Sequence, residues 1–261
     1  MGRLAVAGGI RLLTEQNVRP IEPVALGVTL STRPEHTEGM KLPERPQPAA
    51  EDPFGGRQPT SHERMTGLPW DASYTEGQAP WDTGLPQPAV ARLVSEGAFG
   101  GPVLDAGCGT GENSLLIASL GLPVVGVDVA ETALATARAK ADDRGIQAEF
   151  ALADAFELAR LRREFRTVLD CGLFHSFNGD ERPRYVASLA SVTDHHGTLH
   201  VLCFSNAGPG TGPHPVRQEE LRAVFSRGSG WDIAAIEPSR LQTRFHDEEG
   251  APAWLATIRR I

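Results

Sequence analysis

The stretch Val103-Leu104-Asp105-Ala106-Gly107-Cys108-Gly109-Thr110-Gly111-Glu112 decides the fold. A short apolar strand, Pro102 to Ala106, runs into three alternate glycines, and a helical pattern begins at residue 112. Glycine takes a positive φ without strain and lets a ligand approach the main chain with no Cβ in the way. In open α/β sheets, ligands lie outside the carboxyl ends of the strands, at the switch point. This turn is therefore the expected seat of a nucleotide-like cofactor.

The signals alternate outward from that turn. Residues 112–120 read as a helix stopped by Gly121, and 123–127 as a second apolar strand. Residues 131–144 place Leu134, Ala137 and Ala141 on one helical face, with Gly145 just past the end. Strands are expected at 147–151, 167–171 and 197–204, and helices at 88–97, 180–194 and 216–226. Two last strands are expected near 231–237 and 252–260. Strands separated by helices imply crossover connections and a parallel sheet with helices on both faces. The last two strands have only a loop between them, which allows an antiparallel hairpin at the end of the sheet. No internal repeat is visible.

Two cofactor classes use a glycine turn of this kind. A dinucleotide site asks for G-x-G-x-x-G, and Glu112 stands where that pattern has glycine or alanine, facing a pyrophosphate. The observed spacing is G-x-G-x-G. Asp128 ends the second strand in Val125-Gly126-Val127-Asp128, with Val129 after it. A carboxylate there can accept both ribose hydroxyls of a nucleoside. Ala153-Asp154-Ala155 follows the third strand, and Leu169-Asp170-Cys171-Gly172-Leu173-Phe174-His175 closes the fourth.

Together these stretches resemble the class I S-adenosylmethionine-dependent methyltransferases, over roughly residues 65–261. Asp105, Gly107, Gly109 and Gly111 match that family's first motif, and Cys108 lies within it. The resemblance implies a Rossmann-like fold, with a seven-stranded, mostly parallel sheet ending in an antiparallel hairpin. It implies S-adenosyl-L-methionine as cofactor, S-adenosyl-L-homocysteine as product, and no metal. It assigns Asp128 to the ribose, Asp154 to the adenine amino group and the Ala155 N–H to the ring, and sets Cys171 beside the sulfonium. One departure is Arg166, where the family often has Asp. Pro80-Trp81-Asp82-Thr83-Gly84-Leu85-Pro86-Gln87-Pro88 is similar to the N-terminal segment of small-molecule methyltransferases of the thiopurine and thiol type, and of actinobacterial enzymes acting on aromatic heterocycles. In those relatives this segment folds over the cofactor, and its Trp, here Trp81, is part of the cover.

Composition narrows the partners. The chain of 261 residues carries a formal net charge of −8. Residues 1–64 hold 8 of the 20 prolines and balance 8 basic against 8 acidic residues, so the acidity lies downstream. An acidic domain is a poor match for a phosphate backbone or an anionic membrane. A small-molecule methyl acceptor is expected, with the enzyme a monomer or homodimer. Cys108, Cys171 and Cys203 make an odd count without C-x-x-C, which argues against a disulfide framework or metal spacing and for a reducing cytoplasm. No window approaches the ~18 apolar residues of a membrane span, and Met1 to Leu13 lacks the features of a signal peptide. Residues 1–64 read as a largely disordered extension, and Met65, at the change in composition, as an alternative start. The catalytic domain is then 65–261, divided into a cofactor-covering segment, 65–98, and a Rossmann-like core, 100–261.

Catalysis asks for an acceptor aligned with the methyl–sulfur bond and shielded from water. His175, just past the fourth strand, is the candidate base, with Asp170 its rival. His214 and His246 are further candidates for the acceptor pocket, and the Asn206–Pro215 loop for a lid. Two other functions compete. One is a non-catalytic S-adenosylmethionine-binding regulator; the other is an NAD(P)-dependent oxidoreductase, against which Glu112 and the glycine spacing speak.

Overall fold

The computed structural model describes residues 52–261, except 76, 78, 209–211 and 247–248. Residues 1–51, most of the expected disordered extension, lie outside the described residues. Seven strands form one sheet: β1 Val103–Ala106, β2 Val124–Asp128, β3 Glu149–Leu152, β4 Phe165–Cys171, β5 Thr193–Phe204, β6 Trp231–Leu241 and β7 Ala251–Arg260. Their order is β3-β2-β1-β4-β5-β7-β6. The first five run parallel, and β7 lies antiparallel between β5 and β6. The expected sheet and its terminal hairpin are both present. Among the described residues the seven α-helices are α1 Ser61–Thr66, α2 Ala72–Thr75, α3 Pro88–Ser95, α4 Glu112–Ala118, α5 Glu131–Arg144, α6 Glu181–Ala190 and α7 Gln218–Val224.

The period-2 alternation of buried strand residues explains why helices cover both faces. Leu104, Val168 and Val201 pack with Tyr185 and Leu189 of α6 and Leu221 of α7. Their neighbours Val103, Leu169 and Leu202 pack with Val90 and Leu93 of α3 and Ile117 of α4. Each such side chain contributes about 1.5–3 kcal/mol when withdrawn from water. α5 approaches closely because its buried stripe is mostly small: Ala133, Leu134, Ala137 and Ala141. Register then sets the site. Ala106 pairs with Val127 on one side and Asp170 on the other, so the carboxyl ends of β1, β2 and β4 finish level.

The reading of residues up to 64 as disordered needs correction for 52–64, which are ordered against the domain. Thr60 caps α1 in a capping box with Glu63. Glu63 is fully buried. It accepts from the Thr60 N–H at 2.9 Å and the Trp70 N–H at 3.0 Å, and pairs with the Arg57 guanidinium. Burial alone lifts its carboxyl, but Arg57 and the two N–H groups outweigh that and hold it below the ordinary range. Ser61 Oγ donates to the Ser176 carbonyl at 3.0 Å, and Arg64 pairs with Glu181 at 3.0 Å. A knot of polar contacts, rather than an apolar stripe, orders this segment. No helix among the described residues is long and apolar enough to cross a membrane.

Candidate active site

A cavity of about 620 Å³ lies above the carboxyl ends of β1, β2 and β4. Its floor is the glycine turn. Gly107, Gly109 and Gly111 have φ of 75°, 53° and 82°. Val127 O accepts from both the Gly107 and Cys108 N–H groups, at 2.8 and 2.9 Å, which straps the turn to β2. A Cβ on Gly107 would stand 2.9 Å from Leu173 Cδ2, and one on Gly109 3.0 Å from the Tyr74 hydroxyl. The main chain here has no room for side chains, as a ligand cradle requires.

Asp128 is in the cavity wall beside Val129. Its Oδ2 accepts from the Gly109 N–H at 2.9 Å and its Oδ1 from the Ala130 N–H at 2.9 Å. A carboxylate has about four lone-pair positions, so acceptor capacity remains for a diol. Burial raises its pKa, and the N–H groups of Ala130 and Gly109 oppose the rise. Below the turn, Asp105 is buried, its Oδ2 accepting from Ser114 Oγ at 2.6 Å while Oδ1 has no partner. Burial lifts its pKa to about 6, against the bond from Ser114.

The covering segment is pinned to the core at several points. The Asp71 carboxylate accepts from Thr132 N–H and Oγ at 2.8 and 2.9 Å, capping the start of α5. Asp82 Oδ2 accepts from Thr110 Oγ of the glycine turn at 3.0 Å. Gln87 exchanges two 2.8 Å bonds with the Gln242 main chain, in the loop between β6 and β7. Trp81 thus lies in the cavity wall, and its Nε1–H donates to the Tyr74 hydroxyl at 2.8 Å, directly above Gly109.

A methyltransferase-domain family model matches residues 103–197. The chain is 37% identical over 166 residues to a 2-heptyl-1-hydroxyquinolin-4(1H)-one methyltransferase of Mycobacteroides abscessus, covering 62% of this chain and 72% of that one. The chain belongs to the S-adenosylmethionine-dependent methyltransferases. A solved structure described under the conversion of a disulfide bond into a thioacetal group during echinomycin biosynthesis is 34% identical. It has a TM-score of 0.66 and covers 73% of this chain and 90% of its own. The magnesium protoporphyrin IX methyltransferase of Synechocystis, solved with bound S-adenosylhomocysteine, is 26% identical with a TM-score of 0.53. That match covers 66% of this chain and 80% of the other.

Within this methyltransferase the expected site residues divide. Trp81, Gly107, Cys108, Gly109, Gly111, Asp128, Val129, Ala155, Cys171 and His175 all line the one cavity. Asp105, Asp154 and Asp170 do not. Asp154 caps the short 3₁₀ turn that follows β3, its Oδ1 accepting from the Phe156 N–H at 2.9 Å. Asp170 is fully buried and accepts from the Leu173 and Phe174 N–H groups at 3.0 and 3.1 Å and the Tyr185 hydroxyl at 2.8 Å. It organises the turn after β4, which corrects its candidacy as base. Burial lifts its pKa to about 7, against the bonds from Tyr185, Phe174 and Leu173.

His175 is corrected as well. Its Nδ1 accepts from the Phe204 N–H at 3.2 Å, so its proton sits on Nε2 and no lone pair is free for an acceptor. Burial pushes its pKa down to about 3, helped by the charge of Arg182. Burial also raises the thiols of Cys108 and Cys171 above their ordinary value, leaving both as neutral wall groups. Glu112 turns to Arg144, at 2.8 Å, and Lys140, at 2.9 Å. Its charge is therefore compensated, and the relatives rather than this residue exclude a dinucleotide enzyme. His246 is in the wall with Nδ1 and Thr243 Oγ 2.7 Å apart, while His214 is outside it, bonded to Ser61 Oγ. Of the expected lid Asn206–Pro215, residues 209–211 lie outside the described residues; Gly212 and Pro213 line the cavity.

His62, Trp70 and Tyr74 also line the cavity, and the sequence reading misses all three. Two signals point to them: the T-x-x-E capping box at Thr60 and Glu63, and the close recurrence of Trp70, Tyr74 and Trp81 in a stretch poor in other large apolar residues.

Proposed function

We propose that this cavity holds S-adenosylmethionine and a small aromatic or heterocyclic acceptor together, and that a methyl group passes to an oxygen, sulfur or nitrogen of that acceptor. The observation that carries this reading is the continuity of the wall. It runs from the glycine turn and Asp128 to a chamber faced by Trp70, Trp81, Phe204 and Phe245. Bound there, the cofactor supplies a methyl carbon activated by positively charged sulfur. The chain's own groups do the rest. Gly107, Gly109 and Gly111 present bare main chain, Asp128 accepts the ribose hydroxyls, and Val129 and Ala155 flank the base. Trp81 and Tyr74 close the top and exclude water.

Stacked aromatic rings suit a flat acceptor. The relative named for a hydroxyquinolone supports a flat acceptor, and the structure described for conversion of a disulfide bond supports sulfur among the acceptor atoms. We further propose that the catalytic domain begins near Asp52, since the Arg57–Glu63 knot positions Trp70 in the wall. The test is release of S-adenosylhomocysteine with a panel of phenols, a 1-hydroxyquinolin-4-one, arenethiols and N-heterocycles. Turnover of at least one aromatic acceptor is expected. Tight cofactor binding with no turnover across the panel would instead favour a binding or regulatory protein.

A further inference from the structure

Four imidazoles gather at or beside the cavity, and three of them hold a hydrogen bond through one ring nitrogen. His175 spends Nδ1 on the Phe204 N–H, His246 shares Nδ1 with Thr243 Oγ, and His214 holds Ser61 Oγ through Nε2. His62 differs. It sits in the first turn of α1 and in the cavity wall, its ring stacked on Trp70 with centroids 4.4 Å apart and planes at 17°. Trp81 meets it edge-on at 6.4 Å. Neither ring nitrogen has a hydrogen-bond partner among the described residues. Nδ1 is buried, which leaves Nε2 as the nitrogen a bound molecule can reach. A polar side chain held rigidly among aromatics in a pocket, without a partner, is completed by a ligand that supplies one.

We infer that His62, through Nε2, takes the proton from an acceptor hydroxyl or N–H as the new bond to the methyl carbon forms. This rests on the proposed reading of the cavity as a methyl-transfer site. The proton leaves the acceptor atom for the His62 lone pair, and the acceptor's electron pair forms the bond to the methyl carbon. The carbon–sulfur pair stays on sulfur, leaving a neutral thioether. His62 then releases its proton to solvent. Burial holds the imidazole below its ordinary pKa, so the base form prevails at neutral pH, while Glu63 next to it favours the transient cation. Other titratable or charged groups nearby are His214, Arg57 paired to Glu63, and, across the cavity, His175 with Arg182. An acceptor that is already an anion needs none of this.

The test compares wild type, H62F and H62Q on two acceptors: 4-methylphenol, which is protonated at pH 8, and pentafluorobenzenethiol, which is ionised there. Phe keeps the stack on Trp70 and removes both nitrogens; Gln keeps polarity without a basic lone pair. Binding of S-adenosylhomocysteine and the unfolding temperature report that each variant is folded and loaded. The expected result is a fall in kcat on the phenol of about 10²–10⁴-fold in both variants, the usual contribution of a positioned base. KM and thiolate turnover stay within about 3-fold. The acid limb of the phenol profile disappears in H62F and persists in H214N. Equal losses on both acceptors would show a packing role and overturn the inference, as would full activity on the phenol or rescue by Gln. Failure of wild type on both acceptors, with S-adenosylhomocysteine still bound, would overturn the acceptor reading itself and the role of His62 with it.

Discussion

Replacing Gly111 and Gly109 by alanine, one at a time, separates the two demands that the glycine turn meets. Both residues have positive φ, 82° and 53°, so a side chain at either position costs about 1–2 kcal/mol in backbone strain. Their surroundings differ. A Cβ on Gly111 would lie 2.8 Å from Ala137 Cβ and 2.9 Å from two ring carbons of Phe150. Those atoms belong to α5 and β3, packed together in the core, and cannot withdraw. Overpacking of this kind adds about 1–3 kcal/mol. The total for Gly111→Ala is about 2–5 kcal/mol, or ~4–20 °C of unfolding temperature in a domain of this size. At Gly109 the obstacle is the Tyr74 hydroxyl at 3.0 Å, the free end of a side chain in the covering segment. Gly109→Ala should therefore cost the fold only the strain, about 1–2 kcal/mol, and express the remainder as weaker cofactor binding. Urea unfolding measures the first quantity and titration with S-adenosylhomocysteine the second. A Gly111→Ala protein within about 0.5 kcal/mol of wild type, or no less stable than Gly109→Ala, would refute the packing argument.

Asp128→Asn puts an amide where the Gly109 and Ala130 N–H groups meet a carboxylate, and is expected to weaken S-adenosylhomocysteine binding by about 10–150-fold, the worth of hydrogen bonds to a charged group. Calorimetry reads it, and an unchanged Kd would remove Asp128 from the site. Trp81→Phe deletes the donor to the Tyr74 hydroxyl and should weaken the same binding by about 2–12-fold, with little change in unfolding temperature. Asp170 has a folded pKa of about 7 against an ordinary 3.8, so its contribution to stability is full below pH 3.8 and is lost as pH rises towards 7. Asp170→Asn mimics the protonated acid. Its stability relative to wild type should rise between pH 4 and 7 by up to about 4 kcal/mol, and a pH-independent difference in denaturant unfolding would contradict this. His175 works in the opposite direction. Its pKa is lowered to about 3, so stability present above pH 6.5 is lost as pH falls through that range, and His175→Leu should flatten that limb of the unfolding profile.

The parallel core is legible in the sequence because its signals are local. An apolar run, alternate glycines and a helix stop at Gly145 each act within a few residues, and Asp128 is placed by ending its own strand. What a strand end cannot reveal is direction. Asp170 and Cys171 are adjacent, yet alternation sends the carboxylate under the turn and the thiol into the cavity. Asp154 and His175 show a related limit. Each satisfies a nearby main-chain N–H, a demand that only the folded turn creates. The segment before Leu68 is the hardest to read, because what orders it is remote: Ser61 bonds to Ser176, and Arg64 to Glu181. A composition of prolines and balanced charges describes that stretch correctly and still misses that one buried carboxylate, Glu63, gathers it.

A crystal structure of the full chain with S-adenosylhomocysteine would show whether the cofactor lies over the glycine turn. The ribose hydroxyls are expected on the Asp128 carboxylate, the amino-acid end over Gly107 to Gly111, and Trp81 with Tyr74 closed above them. Density for the ligand elsewhere, or in this cavity with Asp128 still bonded only to main-chain N–H groups, would contradict this placement.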